Sequence, residues 1–128
     1  MDIRTSPLAW TVIGCAIEVH RVLGPGLLES AYDKALCGEF TLRGVGFRRQ
    51  VGLPGSYKGQ DLGRVYRVDF VIDEQLVVEI KASSHLIHAH RAQLRTYMRL
   101  LGLRQGLILN FNMPRLVDGL ASVLLAEP

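Results

Sequence analysis

Two short apolar runs near the middle of the chain, Val68-Asp69-Phe70-Val71-Ile72 and Leu76-Val77-Val78-Glu79-Ile80-Lys81, are interrupted by charge at matched positions. Side chains alternate faces along a strand, so Glu79 and Lys81 must share one face. With Asp73-Glu74-Gln75 as a three-residue turn, Ile72 pairs with Leu76 and Asp69 falls opposite Glu79. A two-residue loop would put Asp69 on the other face. With the odd loop, one face carries Tyr66, Val68, Phe70, Ile72, Leu76, Val78, Ile80 and Ala82, an uninterrupted apolar surface. The opposite face carries Arg67, Asp69, Val71, Val77, Glu79 and Lys81.

Like charges opposed across an antiparallel pair are destabilising. At an effective dielectric of about 20, two carboxylates about 4 Å apart repel by about 4 kcal/mol. Something cationic must accompany them. One candidate is a salt-bridge network through Arg67 and Lys81 on a solvated strand face. The other is Mg²⁺ or Mn²⁺ held by carboxylate oxygens with waters completing the shell. The hairpin alone leaves both open.

At 128 residues the chain is expected to be one domain, 1–128, with a real core. No apolar run is long enough to span a bilayer, and Met1 to Pro7 lacks the basic-then-apolar layout of a secretory leader. A soluble, cytoplasmic protein with no membrane partner is expected. Cys15 and Cys37 have no C-x-x-C spacing and read as free thiols. The net charge of +3 is compatible with a polyanionic partner. Arg48, Arg49, Lys58, Arg64 and Arg67 gather around the hairpin, where they could protect edge strands or contact phosphate.

Helical spacing of Val12, Ile13, Ala16, Ile17, Val19 and Leu23 predicts a helix from Pro7 to Leu23, stopped by Gly24-Pro25-Gly26. A second helix is predicted from Leu27 to Arg43, closed by Gly44. Phe47 to Leu53 reads as a strand ending at Pro54, with a turn-rich connection from Gly55 to Gly63. A third helix is expected from His88 to Leu101. Gly106 to Phe111 is a short, apolar strand of the kind buried in a sheet. Val117, Leu120, Ala121 and Leu124 recur at helical spacing and predict a terminal helix. The order implies an α/β sandwich: an antiparallel meander, then a crossover helix that lays the last strand parallel to a neighbour.

That order, with Asp69 on the second strand and Glu79-Ile80-Lys81 on the third, resembles the PD-(D/E)XK nuclease superfamily, whose restriction-endonuclease-like core is α-β-β-β-α-β. Here an extra N-terminal helix precedes it. More closely, Gly26-Leu27-Leu28-Glu29-Ser30-Ala31-Tyr32 looks like the defining motif of the GxxExxY proteins, a small bacterial family placed within that superfamily. Further resemblance lies in Val19-His20-Arg21, Gln50 before Leu53-Pro54, Tyr57-Lys58-Gly59, and Leu109-Asn110-Phe111. Gln93-x-x-x-Tyr97 matches the motif of the RecB-like and Cas4-like branches. Val68 stands where the superfamily's name has Pro.

The resemblance implies a nuclease that uses Mg²⁺ or Mn²⁺ bound by Asp69, Glu79 and the carbonyl of Ile80, with Glu29 acting through water. Lys81 would orient or help deprotonate the attacking water, Gln93 would belong to the site, and Tyr97 and His20 would support it. Arg49, Lys58 and Arg67 are candidate phosphate contacts. The expected partner is nucleic acid, DNA ahead of RNA, with a homodimer or a protein partner as a further expectation. The alternative is a non-catalytic nucleic-acid-binding or assembly module on the same fold.

Other motifs point elsewhere only weakly. His85, His88 and His90 lack the spacing that would put zinc ligands on one helix face. Gly24-Pro25-Gly26 lacks the strand and Lys-Ser/Thr of a phosphate-cradling loop. No G-x-S-x-G elbow or similar covalent-catalysis signature occurs.

Overall fold

The structure is a computed structural model that describes residues 6–126; the segment ahead of Ser6, read above for a leader, lies outside them. Helix α1 (Pro7–Leu23) starts where Ser6 Oγ accepts the Ala9 N–H and Pro7 opens the first turn. It ends at Gly24, whose φ of +71° suits glycine. Helix α2 (Glu29–Leu42) follows, then strands β1 (Phe47–Tyr57), β2 (Gln60–Ile72) and β3 (Leu76–Lys81). Helix α3 (His88–Leu101) ends at left-handed Gly102 and leads to β4 (Gln105–Asn110), a 3-10 turn (Leu116–Gly119) and β5 (Leu120–Leu124).

The five strands form one mixed sheet in the order β1-β2-β3-β4-β5. β3 and β4 are parallel, as a crossover through α3 requires, and the other neighbours are antiparallel. α1 and α2 pack with Phe70, Ile72, Val78 and Leu109 on one face. α3 packs with Val71, Val77 and Ile108 on the other through Leu94, Tyr97 and Met98. The central strand therefore buries Leu76 to Ile80 on both sides. Among the described residues no helix is long and apolar enough to cross a membrane.

Three expectations are corrected. Tyr66 and Val68 do not continue the face of Phe70 and Ile72; they join the α3 side with Val71. The register between β1 and β2 is the same before and after this point, but Gln50 and Asp69 drop out of the ladder between Arg49↔Phe70 and Val51↔Val68. Gln50 takes a left-handed φ of +53°, and both strands change faces at the same level.

The connection read as a loop after Pro54 is instead a long hairpin arm. Tyr57 pairs with Gln60 across a two-residue turn, Lys58 at φ +47° and Gly59 at φ +80°. Pro54, which has no N–H to give, sits at a register shift.

The predicted terminal helix is a strand. β5 pairs with β4 from Gln105↔Leu124 to Leu109↔Leu120 and covers an edge that would otherwise expose backbone groups. Ala121 and Val123 are buried at alternate positions, a period-2 pattern too short to separate from helical spacing.

Candidate active site

The three-residue turn is present: Ile72 pairs with Leu76, and Asp73 and Glu74 take left-handed φ values of +50° and +54°. Backbone pairing of β2 with β3 runs as far as Phe70↔Val78. At the next step side chains replace it. The Asp69 N–H donates to Glu79 Oε2 at 3.1 Å, and the Ile80 N–H donates to Asp69 Oδ2 at 2.8 Å. The N–H and C=O of one strand residue point the same way, so the Ile80 carbonyl faces this gap too.

Glu79 is buried and Asp69 half-buried. Burial, then the proton shared with Asp69 and its negative charge, push the Glu79 carboxyl up to about 9; Lys81 pulls weakly the other way. The Tyr97 hydroxyl is also raised, first by burial and then by Glu79 and Asp69. Without a further cation, Glu79 keeps its proton at neutral pH.

Lys81 Nζ donates to Gln93 Oε1 at 2.9 Å. Gln93 and Tyr97, one turn apart on α3, line the same recess as Asp69 and Glu79. Gln93 is exposed within that recess rather than on a buried face, so its amide is held by Lys81 and not by core burial. The crossover loop that delivers α3 is tied down by Asn110, buried at the end of β4. Its Oδ1 accepts the Ser83 N–H at 3.1 Å and its Nδ2 donates to the Ser83 carbonyl at 2.9 Å.

Glu29 is the first residue of α2 and lines the recess from the opposite wall. Its place depends on Tyr32. The Tyr32 hydroxyl donates to the Gly24 carbonyl at 2.7 Å and accepts the Leu27 N–H at 3.1 Å, pinning the turn that leads into Glu29. Gly26 within that turn has φ +94°, a conformation that favours glycine. In Gly26…Glu29…Tyr32, glycine shapes the turn, glutamate faces the recess and tyrosine holds the turn in place.

A larger recess of about 520 Å³ adjoins the first and shares Glu29, Arg67, Asp69 and Ile80 with it. Arg49 lines it and is committed to Asp33, Nε to Oδ1 at 2.6 Å, while Gln50 Nε2 donates to Asp33 Oδ2 at 2.8 Å. Arg67 reaches both recesses with no acidic partner among the described residues.

Two sequence candidates lie elsewhere. His20 is outside these recesses: its Nε2 meets the Met113 carbonyl at 2.8 Å, where it docks the segment after β4 onto α1. Lys58 is at the tip of the hairpin arm, over the Tyr57 ring. His85 contacts Ser84, and His90 Nδ1 accepts the Ile87 N–H at the start of α3. Both cysteines are free. Asp33, buried and doubly hydrogen-bonded, was missed by sequence reasoning. Its spacing of four residues from Glu29, on the same helix face, was the available signal.

The donors at Asp69, Glu79 and Ile80 are all oxygen. No group of three or more His, Cys, Asp or Glu side chains suited to a metal occurs among the described residues. A His/Cys-rich zinc centre does not fit, whereas a hard ion that keeps most of its waters needs only one or two carboxylates. No curated protein and no solved structure matches the chain. The family model of the PD-(D/E)XK nuclease superfamily matches residues 6–122, and over that length it identifies the chain as a member of the PD-(D/E)XK nuclease superfamily.

Proposed function

We propose that this protein is a divalent-metal-dependent nuclease that hydrolyses phosphodiester bonds, with DNA ahead of RNA as substrate. The interlocked pair of half-buried Asp69 and buried Glu79 carries this reading, because two carboxylates so close call for a cation. Mg²⁺ or Mn²⁺ held by Asp69, Glu79 and the Ile80 carbonyl would supply Lewis-acid polarisation of the phosphate and a more acidic water. Glu29, on the facing wall, would accept hydrogen bonds from waters around that ion.

The chain's own groups have distinct work. Lys81, held by Gln93, offers an ammonium to the attacking water and to the charge that builds on phosphate oxygens. Tyr97 walls the recess and excludes water from one side. Hydrolysis adds water across one P–O bond: the water oxygen bonds to phosphorus, the bond to the sugar oxygen breaks, and that oxygen gains a proton. The charge distribution supports a polyanionic substrate, since from Ile80 to Val117 there is no Asp or Glu but there are Lys81, Arg91, Arg95, Arg99, Arg104 and Arg115.

The test is cleavage of linear single- and double-stranded DNA and RNA with Mg²⁺ or Mn²⁺, beside Asp69→Ala and Lys81→Ala. Both substitutions and excess chelator should abolish cutting. Activity that survives them would overturn the assignment.

A further inference from the structure

Three recesses lie in a row, and the carboxylate pair sits in the middle one. The middle recess, of about 240 Å³, opens on one side into the recess of about 520 Å³ with which it shares Glu29, Arg67, Asp69 and Ile80. On the other side Tyr97, which lines the middle recess, meets Tyr66 edge to face with ring centroids 6.0 Å apart. Tyr66 in turn lines a third recess of about 490 Å³ between the hairpin arm and α3. The middle and third recesses share no lining residue and meet across the Tyr66–Tyr97 contact, and the two outer recesses are separate spaces.

Each outer recess sets exposed apolar surface beside a cation that has no acidic partner among the described residues. The first has Leu28, 77% exposed, beside Arg67; Arg49 there is taken up by Asp33, and Glu29 and Asp69 line the side it shares with the middle recess. The third has the Tyr66 ring and Leu100, 49% exposed, with Lys58 and Arg64 on the adjoining arm and without acidic partners among the described residues. Asp61 also lines it, but its Oδ1 accepts the Gly63 N–H at 2.8 Å within the turn. A charged backbone carrying flat bases complements that alternation. Both volumes fall in the range of about 300–1,000 Å³ that suits a small ligand, and a base can enter such a recess only when it is unstacked. A duplex holds its bases away from the wall; a single strand offers every base face for contact.

We infer that a single strand of nucleic acid crosses the site through all three recesses, with unpaired nucleotides on both sides of Asp69 and Glu79, so that cutting is internal. This rests on the nuclease reading of the middle recess. An enzyme that works from an end also seats the leaving nucleotide, but in a space that closes behind it, whereas here both outer recesses open to solvent.

The experiment uses a covalently closed oligo(dT) circle and its linear form. Both should be cut at similar rates, and a linear substrate cut beside an intact circle would overturn the inference. If neither is cut, nor any of the DNA and RNA substrates named above, the nuclease reading fails, and binding of the circle in Ca²⁺ buffer decides the trough separately. Ser30→Trp, which fills the first outer recess, and Thr96→Trp, which fills the third, should each weaken circle binding about tenfold. Ser30→Ala and Thr96→Val, with folding checked by circular dichroism, should leave it within about twofold. Unchanged affinity in either tryptophan variant, or a linear duplex that competes as well as the circle, would overturn the inference.

Discussion

Asp69 and Glu79 grip one another through the backbone: the Asp69 N–H binds Glu79 Oε2, and Asp69 Oδ2 takes the N–H of Ile80, the residue after Glu79. The two carboxyl groups thus complete a strand pairing that the main chain abandons. Their closeness is part of the fold and does not depend on a bound ion to create it.

The first prediction concerns pH. The folded Glu79 value of about 9 lies above its ordinary value of 4.5, so the folded state binds a proton that the unfolded chain releases. That contribution to stability is complete below about pH 4.5 and is lost as pH rises toward about 9. In chelator, the melting temperature should fall by roughly 10 °C between about pH 5 and about pH 8.5. Mg²⁺ should flatten this slope, and Glu79→Gln should abolish it in scanning calorimetry. A flat profile in chelator would contradict the account.

Lys81 and Gln93 separate chemistry from binding. Lys81→Met should lower kcat by at least about a hundredfold with KM changed only a few-fold, because the ammonium acts most on charge that develops during reaction. Gln93→Ala frees Lys81 without removing it and should cost about tenfold. Steady-state cleavage of a labelled oligonucleotide checks both, and equal losses in the two variants would refute the proposed positioning.

Tyr32→Phe removes one hydroxyl and with it both ties to the Gly24–Leu27 turn. The stacked contact with Phe111, centroids 4.3 Å apart and planes 9° apart, remains. Stability should drop by about 1–2 kcal/mol in urea unfolding, and the turn should become the first site of limited proteolysis. An unchanged proteolysis pattern would mean that the turn is held by something else.

The Asp33–Arg49 pair is asymmetric: the Asp33 side chain is 6% exposed and that of Arg49 is 42% exposed. Arg49→Ala leaves a buried carboxylate with only Gln50 as partner and should lower stability measurably. Asp33→Ala leaves a cation that can turn to solvent and should cost less. The double substitution should be milder than Arg49→Ala alone, a sign of coupling that a denaturation cycle would measure.

Much of this protein is determined by the sequence by itself, wherever the deciding interactions are local. The odd turn at Asp73-Glu74-Gln75, the opposition of Asp69 and Glu79, and the limits of α1 and α3 follow from alternation, helical period and glycine stops within a few residues. Glu29 and Gln93 entered as what the family resemblance implies, on helices the periodicity predicts, and the structure brings both to the recess that holds Asp69 and Glu79. The tertiary structure alone decided the rest. Whether Leu120 to Leu124 became strand or helix depended on the open edge of β4, distant in sequence. The change of faces at Gln50 and Asp69 depended on two strands bending together, and the burial of Asp33 depended on Arg49 and Gln50 reaching it from β1. The recesses beside the carboxylates exist only between elements, so no window of sequence contains them; alternation and period act along the chain, whereas a cleft is what packing leaves open between its parts.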